Sequence, residues 1–171
     1  MTKVKFQDLS LINEPYLLVW KDNLERVVKN SQFILGPDVK EFEGNFSKYI
    51  GVKHCVGVNN GTSALTLALR ALKIKNPNIE HVALPCMTFA ATIEAVLIAG
   101  LFPVLVDITP EGGMDFEQLK KVRALQKIDA VVVVHLCGTA AEIPDLDIPV
   151  VEDACQSVGS EFKDGTKTGS K

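Results

Sequence analysis

Asp153 stands at the end of a short apolar run, Pro149-Val150-Val151-Glu152-Asp153-Ala154-Cys155-Gln156-Ser157. The run predicts a buried strand that breaks into two carboxylates, small residues and a glutamine. Open α/β sheets bind ligands beyond the carboxyl ends of their strands, so a carboxylate placed there is where chemistry is usually done. Backed by an apolar strand, it can form a poorly solvated ion pair with a cation, and a protonated ring nitrogen is one such cation. The bland alternative is a strand-end aspartate that caps the following turn.

A second cluster is Asn59-Asn60-Gly61-Thr62-Ser63, which turns directly into a predicted helix over 64–72. A helix start offers unpaired N–H groups and the positive end of the dipole, and Gly61 lets a ligand come close to the backbone. Thr62 and Ser63 add hydroxyl donors. The turn is a credible phosphate cradle, but its spacing is neither that of a dinucleotide fingerprint nor that of a P-loop. The alternative is a plain N-cap. Phe89, in Pro85-Cys86-Met87-Thr88-Phe89, falls at the mouth of a sheet, where an aromatic can stack on a planar ring or simply pack. His135 and Cys137 lie near Asp153 in sequence order, yet the spacing of a structural zinc site is absent and no metal is expected.

These residues need a scaffold, and the hydrophobic periodicity supplies one. Helical spacing predicts helices over 14–30, with Pro15 in the first turn, and over 38–50, with Phe42, Phe46, Tyr49 and Ile50 on one stripe read as core packing. Strands are expected over 54–58, 81–84, 103–108, 130–136 and from Val150, with helices over 90–99 and 116–126 between them. The continuous apolar run of 130–136 is that of a parallel strand covered on both faces. The segment 137–148 has room for little helix, so the last crossover is near the minimum length for parallel neighbours. The tail, 157–171, is polar and glycine-spaced and reads as a hairpin or loop. The alternation of strand and helix gives the fold class: α/β, a mostly parallel sheet flanked by helices. No repeat, low-complexity stretch or linker marks an internal boundary.

With 171 residues, 47% hydrophobic and 23% charged, the chain has the composition of a soluble globular protein. A net charge of −3 gives no basic bias, so neither nucleic acid nor an anionic membrane is an expected partner. No apolar run approaches the roughly 20 residues of a membrane span, and the first residues lack a signal-peptide pattern. Cys55, Cys86, Cys137 and Cys155 fall in or at the ends of predicted strands without a C-x-x-C pair, which predicts buried thiols in a reducing cytosol.

The ordered set Gly36-Pro37-Asp38-Val39 with Phe42-Glu43, Asn60-Gly61-Thr62-Ser63-Ala64-Leu65, Thr88-Phe89, Pro103-Val104-Leu105-Val106-Asp107, His135-Leu136-Cys137-Gly138 and Glu152-Asp153-Ala154-Cys155-Gln156 resembles the DegT/DnrJ/EryC1/StrS nucleotide-sugar aminotransferases. The resemblance implies the N-terminal part of the large domain of a pyridoxal-phosphate-dependent transferase of fold type I. Residues 1–50 would be N-terminal helices and 51–171 the cofactor-binding α/β region of one partial domain. It implies pyridoxal 5'-phosphate, with Gly61, Thr62 and Ser63 at its phosphate, Phe89 stacked on its ring, Asp153 on the protonated ring nitrogen and Gln156 near the ring hydroxyl. Such a cofactor works as an electron sink while its pyridine is protonated. The implied reaction moves an amino group, from glutamate as donor, to a keto sugar carried on a nucleotide. The implied setting is amino-sugar and cell-surface polysaccharide biosynthesis by a cytoplasmic homodimer.

Two departures qualify the resemblance. Family members place a helix between the His-Leu-x-Gly turn and the Glu-Asp-Ala-x-Gln strand, a region that is shortened here. None of Lys163, Lys167 and Lys171 stands in the Phe-Ser-Phe…Lys segment that carries the family's Schiff-base lysine. That lysine and the C-terminal domain are expected outside these 171 residues, and in the implied fold two further strands separate 54–58 from the other four. The alternatives are a catalytically inactive binding module and a sugar dehydratase on the same scaffold.

Overall fold

A computed structural model describes residues 4–143 and 145–171, in two compact units, Met1–Gly44 and Asn45–Lys171. The first holds a short helix α1 (Leu9–Asn13), a 3-10 turn (Glu14–Tyr16) and helix α2 (Leu17–Asn30). The helix expected over 14–30 is thus split at its start. Pro15 sits in the 3-10 turn, and α2 ends where Ser31 takes a left-handed φ of 53° and its N–H returns to the Val27 and Val28 carbonyls. That is the usual way a helix satisfies its last acceptors, though without glycine.

Helix α3 (Pro37–Ile50) matches the second expected helix, with Pro37 at a first-turn position where its missing N–H costs nothing. The stripe read as core packing is only partly so. Ile50 is buried and Phe46 half-buried, whereas Phe42 and Tyr49 are 54% and 51% exposed.

In the second unit, helix α4 (Gly61–Lys75) leads to strand β1 (His81–Pro85), helix α5 (Ala90–Ile98), strand β2 (Phe102–Val106), helix α6 (Phe116–Leu125), strand β3 (Ala130–Val134) and strand β4 (Val150–Asp153). The four strands form one parallel sheet in the order β2-β1-β3-β4. Chain order reverses between β1 and β3, which opens a crevice at their carboxyl ends.

Alternate residues build two cores. Val82, Leu84, Val132 and Val134 pack with Leu69 of α4 and Val96 of α5 on one face. Ala83, Val131 and Val133 pack with Val104, Val106 and Leu119 of α6 on the other. All five residues of β3 are buried, so neither face shows the apolar–polar alternation of a half-exposed strand.

The β3–β4 crossover contains no α-helix among its described residues, only a 3-10 turn at Leu136–Gly138. Ile143, Leu146 and Ile148 cover the second face in place of a helix. The short connection expected from the sequence therefore still shields the sheet. The tail folds back as a narrow turn in which Glu161 bridges Lys167 and the Phe162 N–H bonds the Thr166 carbonyl.

Two expectations are corrected. Residues 54–58 form no strand; they are an irregular segment, with Val56 78% exposed and no described strand beside them to complete a ladder. The thiols are not buried: Cys86, Cys137 and Cys155 are exposed and Cys55 is half-buried. Cys86, Cys137 and Cys155 fall one or more residues past their strand ends, on the segments that follow the strands.

Candidate active site

Asp153 closes β4 with its side chain buried at the sheet's carboxyl edge. Its main-chain carbonyl accepts the His135 N–H at 3.0 Å, which continues the ladder one residue past β3 and locks the two strand ends in register. The carboxylate has two unequal oxygens. Oδ2 accepts the Thr92 hydroxyl at 2.8 Å, and Oδ1 accepts a longer 3.3 Å bond from the Cys155 N–H.

Asn60 shapes the second wall. It takes an extended conformation as the N-cap of α4, and its Oδ1 accepts the Ser63 N–H at 2.8 Å while its carbonyl accepts the Ala64 N–H at 3.1 Å. Four N–H groups at a helix start lack intrahelical partners. The Asn60 side chain satisfies that of Ser63, while among the described residues Gly61 and Thr62 show no partner for theirs. A Cβ at Gly61 would lie 2.8 Å from Cys155 Sγ, so the α4 start packs closely against the side chain on the loop after β4.

A cavity of about 300 Å³ lies between these walls, lined by Asn60, Gly61, Thr62, Phe89, His135, Asp153 and Gln156. This is at the lower end of the range for small-molecule sites, roughly 300–1,000 Å³. Phe89 is the N-cap residue of α5 and is 68% exposed, so its ring is available for stacking. Gln156 accepts the Cys137 N–H through Oε1 at 2.9 Å. That bond assigns the amide's orientation and leaves the Nε2 donors over. Cys137 is held at a φ of 54°, so this link pins a backbone that is otherwise disfavoured.

Of the residues singled out from the sequence, Gly61, Thr62, Phe89, Asp153 and Gln156 converge on this one cavity. Ser63 does not line it. Its N–H is used by the Asn60 cap, and its side chain borders a separate depression with Asn59, Thr66 and Arg70.

Sequence reasoning assigned no site role to three groups. Thr92 is one, although Thr88 and Thr92 share a face at i, i+4 spacing across the start of α5. Cys155 is another. The third is the buried pair His135–Glu152: His135 Nε2 lies 2.9 Å from Glu152 Oε2, which also accepts the Gly169 N–H at 2.8 Å. Among the described residues no three His, Cys, Asp or Glu side chains cluster as a metal site would need.

The fit to a phosphorylated, cationic heteroaromatic is chemical. Leftover N–H donors at a helix N-terminus suit a phosphate. A buried carboxylate suits a protonated ring nitrogen, and an exposed phenyl face suits the ring between the two ends.

The profile of the DegT/DnrJ/EryC1/StrS aminotransferase family matches residues 20–171. A UDP-2-acetamido-2-deoxy-3-oxo-D-glucuronate aminotransferase from Pseudomonas aeruginosa is 36% identical over 147 residues, 82% of this chain and 40% of that protein. The solved structure of S. venezuelae DesV in complex with a ketimine intermediate superposes with a TM-score of 0.86 at 30% identity, covering all of this chain and 47% of DesV. A GDP-4-keto-6-deoxymannose-3-dehydratase with a trapped PLP-glutamate geminal diamine superposes with a TM-score of 0.71 at 26% identity, over 84% of this chain and 40% of that one. The chain thus spans less than half the length of these relatives.

Proposed function

The chain belongs to the DegT/DnrJ/EryC1/StrS aminotransferase family, and on that premise we propose that it supplies the pyridoxal-phosphate half-site of an enzyme that aminates a keto sugar carried on a nucleotide. Glutamate is the proposed amino donor, and a cytoplasmic homodimer the proposed form. The observation that carries the reading is the convergence of Gly61, Thr62, Phe89, Asp153 and Gln156 on one cavity at the crevice of the sheet.

When bound, the cofactor supplies an electron sink for charge developing beside its ring. The chain's own residues do the holding. Gly61 and Thr62 present N–H groups to the phosphate, and Phe89 covers one ring face and excludes water there. Asp153 Oδ1 receives the ring N–H and keeps that proton in place. The Gln156 amide donates toward the ring's hydroxyl oxygen. Asp153 would serve reactivity as well as affinity, because a charged partner would hold the ring proton where a neutral amide would not.

The test is Asp153→Asn in the intact protein. Cofactor binding, followed by absorbance, should survive within about tenfold, while amino transfer from glutamate to a keto nucleotide-sugar should fall by roughly 10²–10³, the usual loss when one preorganised electrostatic partner is removed. Turnover near that of the wild type would remove Asp153 from the reaction. A second reading, sugar dehydration, is favoured by the likeness to the solved dehydratase. Product analysis separates the two: a gained amine supports amination, and loss of the sugar hydroxyl without a gained amine supports dehydration.

A further inference from the structure

We propose that Thr92 is a positioning residue for Asp153, the middle of a two-hydroxyl relay that fixes the carboxylate's rotation and leaves Oδ1 as the acceptor for a ring nitrogen. The inference rests on the cofactor reading given above.

Proton counting sets the direction of the relay. The Thr92 hydroxyl has one hydrogen, and it is 2.8 Å from Asp153 Oδ2, a carboxylate oxygen that can only accept. Thr88 Oγ1 lies 2.8 Å from Thr92 Oγ1. With the Thr92 hydrogen committed to Asp153, Thr88 must donate to Thr92, and the chain runs Thr88 to Thr92 to Asp153. Each hydroxyl polarises the next, which strengthens the terminal bond to the carboxylate.

The location of Thr92 argues against a merely local role. A threonine inside a helix commonly bonds a carbonyl of the preceding turn. Thr92 instead reaches out of α5 to a residue 61 positions away on β4. It is 1% exposed, and an unpaired hydroxyl so deeply buried would be costly. Its β-branch limits χ1 in a helix to two main rotamers, and the contacts with Asp153 and Thr88 select the one that reaches β4. The third residue of α5 also lies in the first turn, where the dipole favours a negative group opposite.

The consequence falls on Asp153. Rotation about its χ2 would exchange the two oxygens or turn both from the cavity. The Thr92 bond commits Oδ2, while Oδ1 has the longer 3.3 Å contact with the Cys155 N–H. Without Thr92, the carboxylate loses its strongest fixed partner and the angle at which it meets a ring nitrogen.

The test compares affinities of the intact protein for pyridoxamine phosphate and for its 1-deaza analogue, in which carbon replaces the ring nitrogen. Neither ligand can bond covalently to a lysine, so both report non-covalent contacts. The wild type should prefer pyridoxamine phosphate. Thr92→Val should weaken that ligand about tenfold, the scale of one hydrogen bond to a charged group, and leave the analogue within about twofold. Thr92→Ser, which keeps the hydroxyl, should restore most of the preference, and Thr88→Val should reduce it by a smaller factor. Should Thr92→Val not fold, Thr88→Val carries the test, since Thr88 is only half-buried. A preference that survives both valine variants, or an equal loss for both ligands, overturns the proposal alone. A wild type that binds neither ligand, or shows no preference, overturns the cofactor reading and this proposal with it.

Discussion

His135 donates through Nε2 to Glu152 Oε2 at 2.9 Å, with the two side chains 0% and 4% exposed. The tautomer is dictated by the other ring atom, because Nδ1 accepts the Ala141 N–H at 3.0 Å and so carries no proton. Glu152 also accepts the N–H groups of Gly169 and Lys171, at 2.8 and 2.5 Å. One carboxylate therefore ties the tail to β3 and β4, one residue before Asp153.

Replacing Glu152 with Gln puts an amide NH₂ where only acceptors fit. Three donors then compete for one oxygen, and His135 cannot change tautomer without losing Ala141. Glu152→Gln should destabilise the intact protein by about 1–3 kcal/mol, the cost of a buried group left unsatisfied. Burial pushes the Glu152 carboxyl up, but the bonds from His135, Gly169 and Lys171 outweigh it and hold the group below its ordinary value. A lowered folded value means stability that is present above the ordinary carboxylate range and is lost as pH falls through the folded value. Urea melts from neutral pH down to strongly acidic pH should thus show the wild type losing its advantage over Glu152→Gln as the carboxylate protonates. A constant gap across that range would refute the account.

The contact between Gly61 and Cys155 makes a second prediction. A Cβ at position 61 meets Sγ at 2.8 Å, closer than real Cβ atoms come. Gly61→Ala should cost about 1–3 kcal/mol through overpacking, and Cys155→Ala in the same chain should recover most of it. A double-mutant cycle on thermal or urea stability is the measurement. A coupling energy below about 0.5 kcal/mol, the ordinary additivity error, would mean that the loop yields freely.

Much of this fold was legible from periodicity. The buried run at 130–134 and the alternation of strand and helix predict a parallel sheet, and strand-end logic places Asp153 at its carboxyl edge. What was not legible depends on contacts between residues distant in sequence. Residues 54–58 read as a strand because their side chains suit one, but a strand exists only beside a partner, and no described strand lies alongside. The thiols read as buried because they adjoin apolar runs, yet one position past a strand end is already the rim. Thr92 was invisible for the same reason: its partner is 61 residues away, and nothing local in Ala90-Ala91-Thr92-Ile93 says that its hydroxyl leaves the helix.

At the opposite, amino end of the sheet, Asp129 Oδ2 accepts the N–H groups of both Glu80 and His81 at 2.9 Å, while the Asp129 N–H returns to the His81 carbonyl at 2.8 Å. The starts of β1 and β3 are thus clamped reciprocally, and Lys127 Nζ lies 3.2 Å from the other oxygen. Asp129→Ala leaves two backbone donors without their acceptor and should cost about 1–3 kcal/mol. Asp129→Asn keeps an oxygen in place and should cost less. The measurement is urea stability of both variants; equal losses would show that charge, not acceptor geometry, holds the clamp.

The final prediction concerns the reactivity of Cys155 beside Asp153. Its side chain is on the rim, so access alone would make it a reactive thiol. Partial burial of the sulfur, followed by the hydrogen bond and negative charge of Asp153, pushes the thiol from 9.0 to about 11. At pH 8 that lowers the thiolate fraction about a hundredfold. The more basic thiolate is also the better nucleophile, with a Brønsted slope near 0.4–0.5, which returns about a factor of ten. The net expectation is exchange with an aromatic disulfide roughly tenfold slower than for a free thiol of ordinary basicity. Asp153→Asn removes the hydrogen-bonding and charge contributions and leaves burial, the largest, so the rate should rise only a few-fold. Pyridoxamine phosphate should slow it further by filling the cavity that Cys155 and Asp153 share. Stopped-flow absorbance on a variant retaining Cys155 alone among the four cysteines reads all three rates. A Cys155 that reacts at the free-thiol rate, with or without Asp153, would show that the carboxylate does not govern the sulfur.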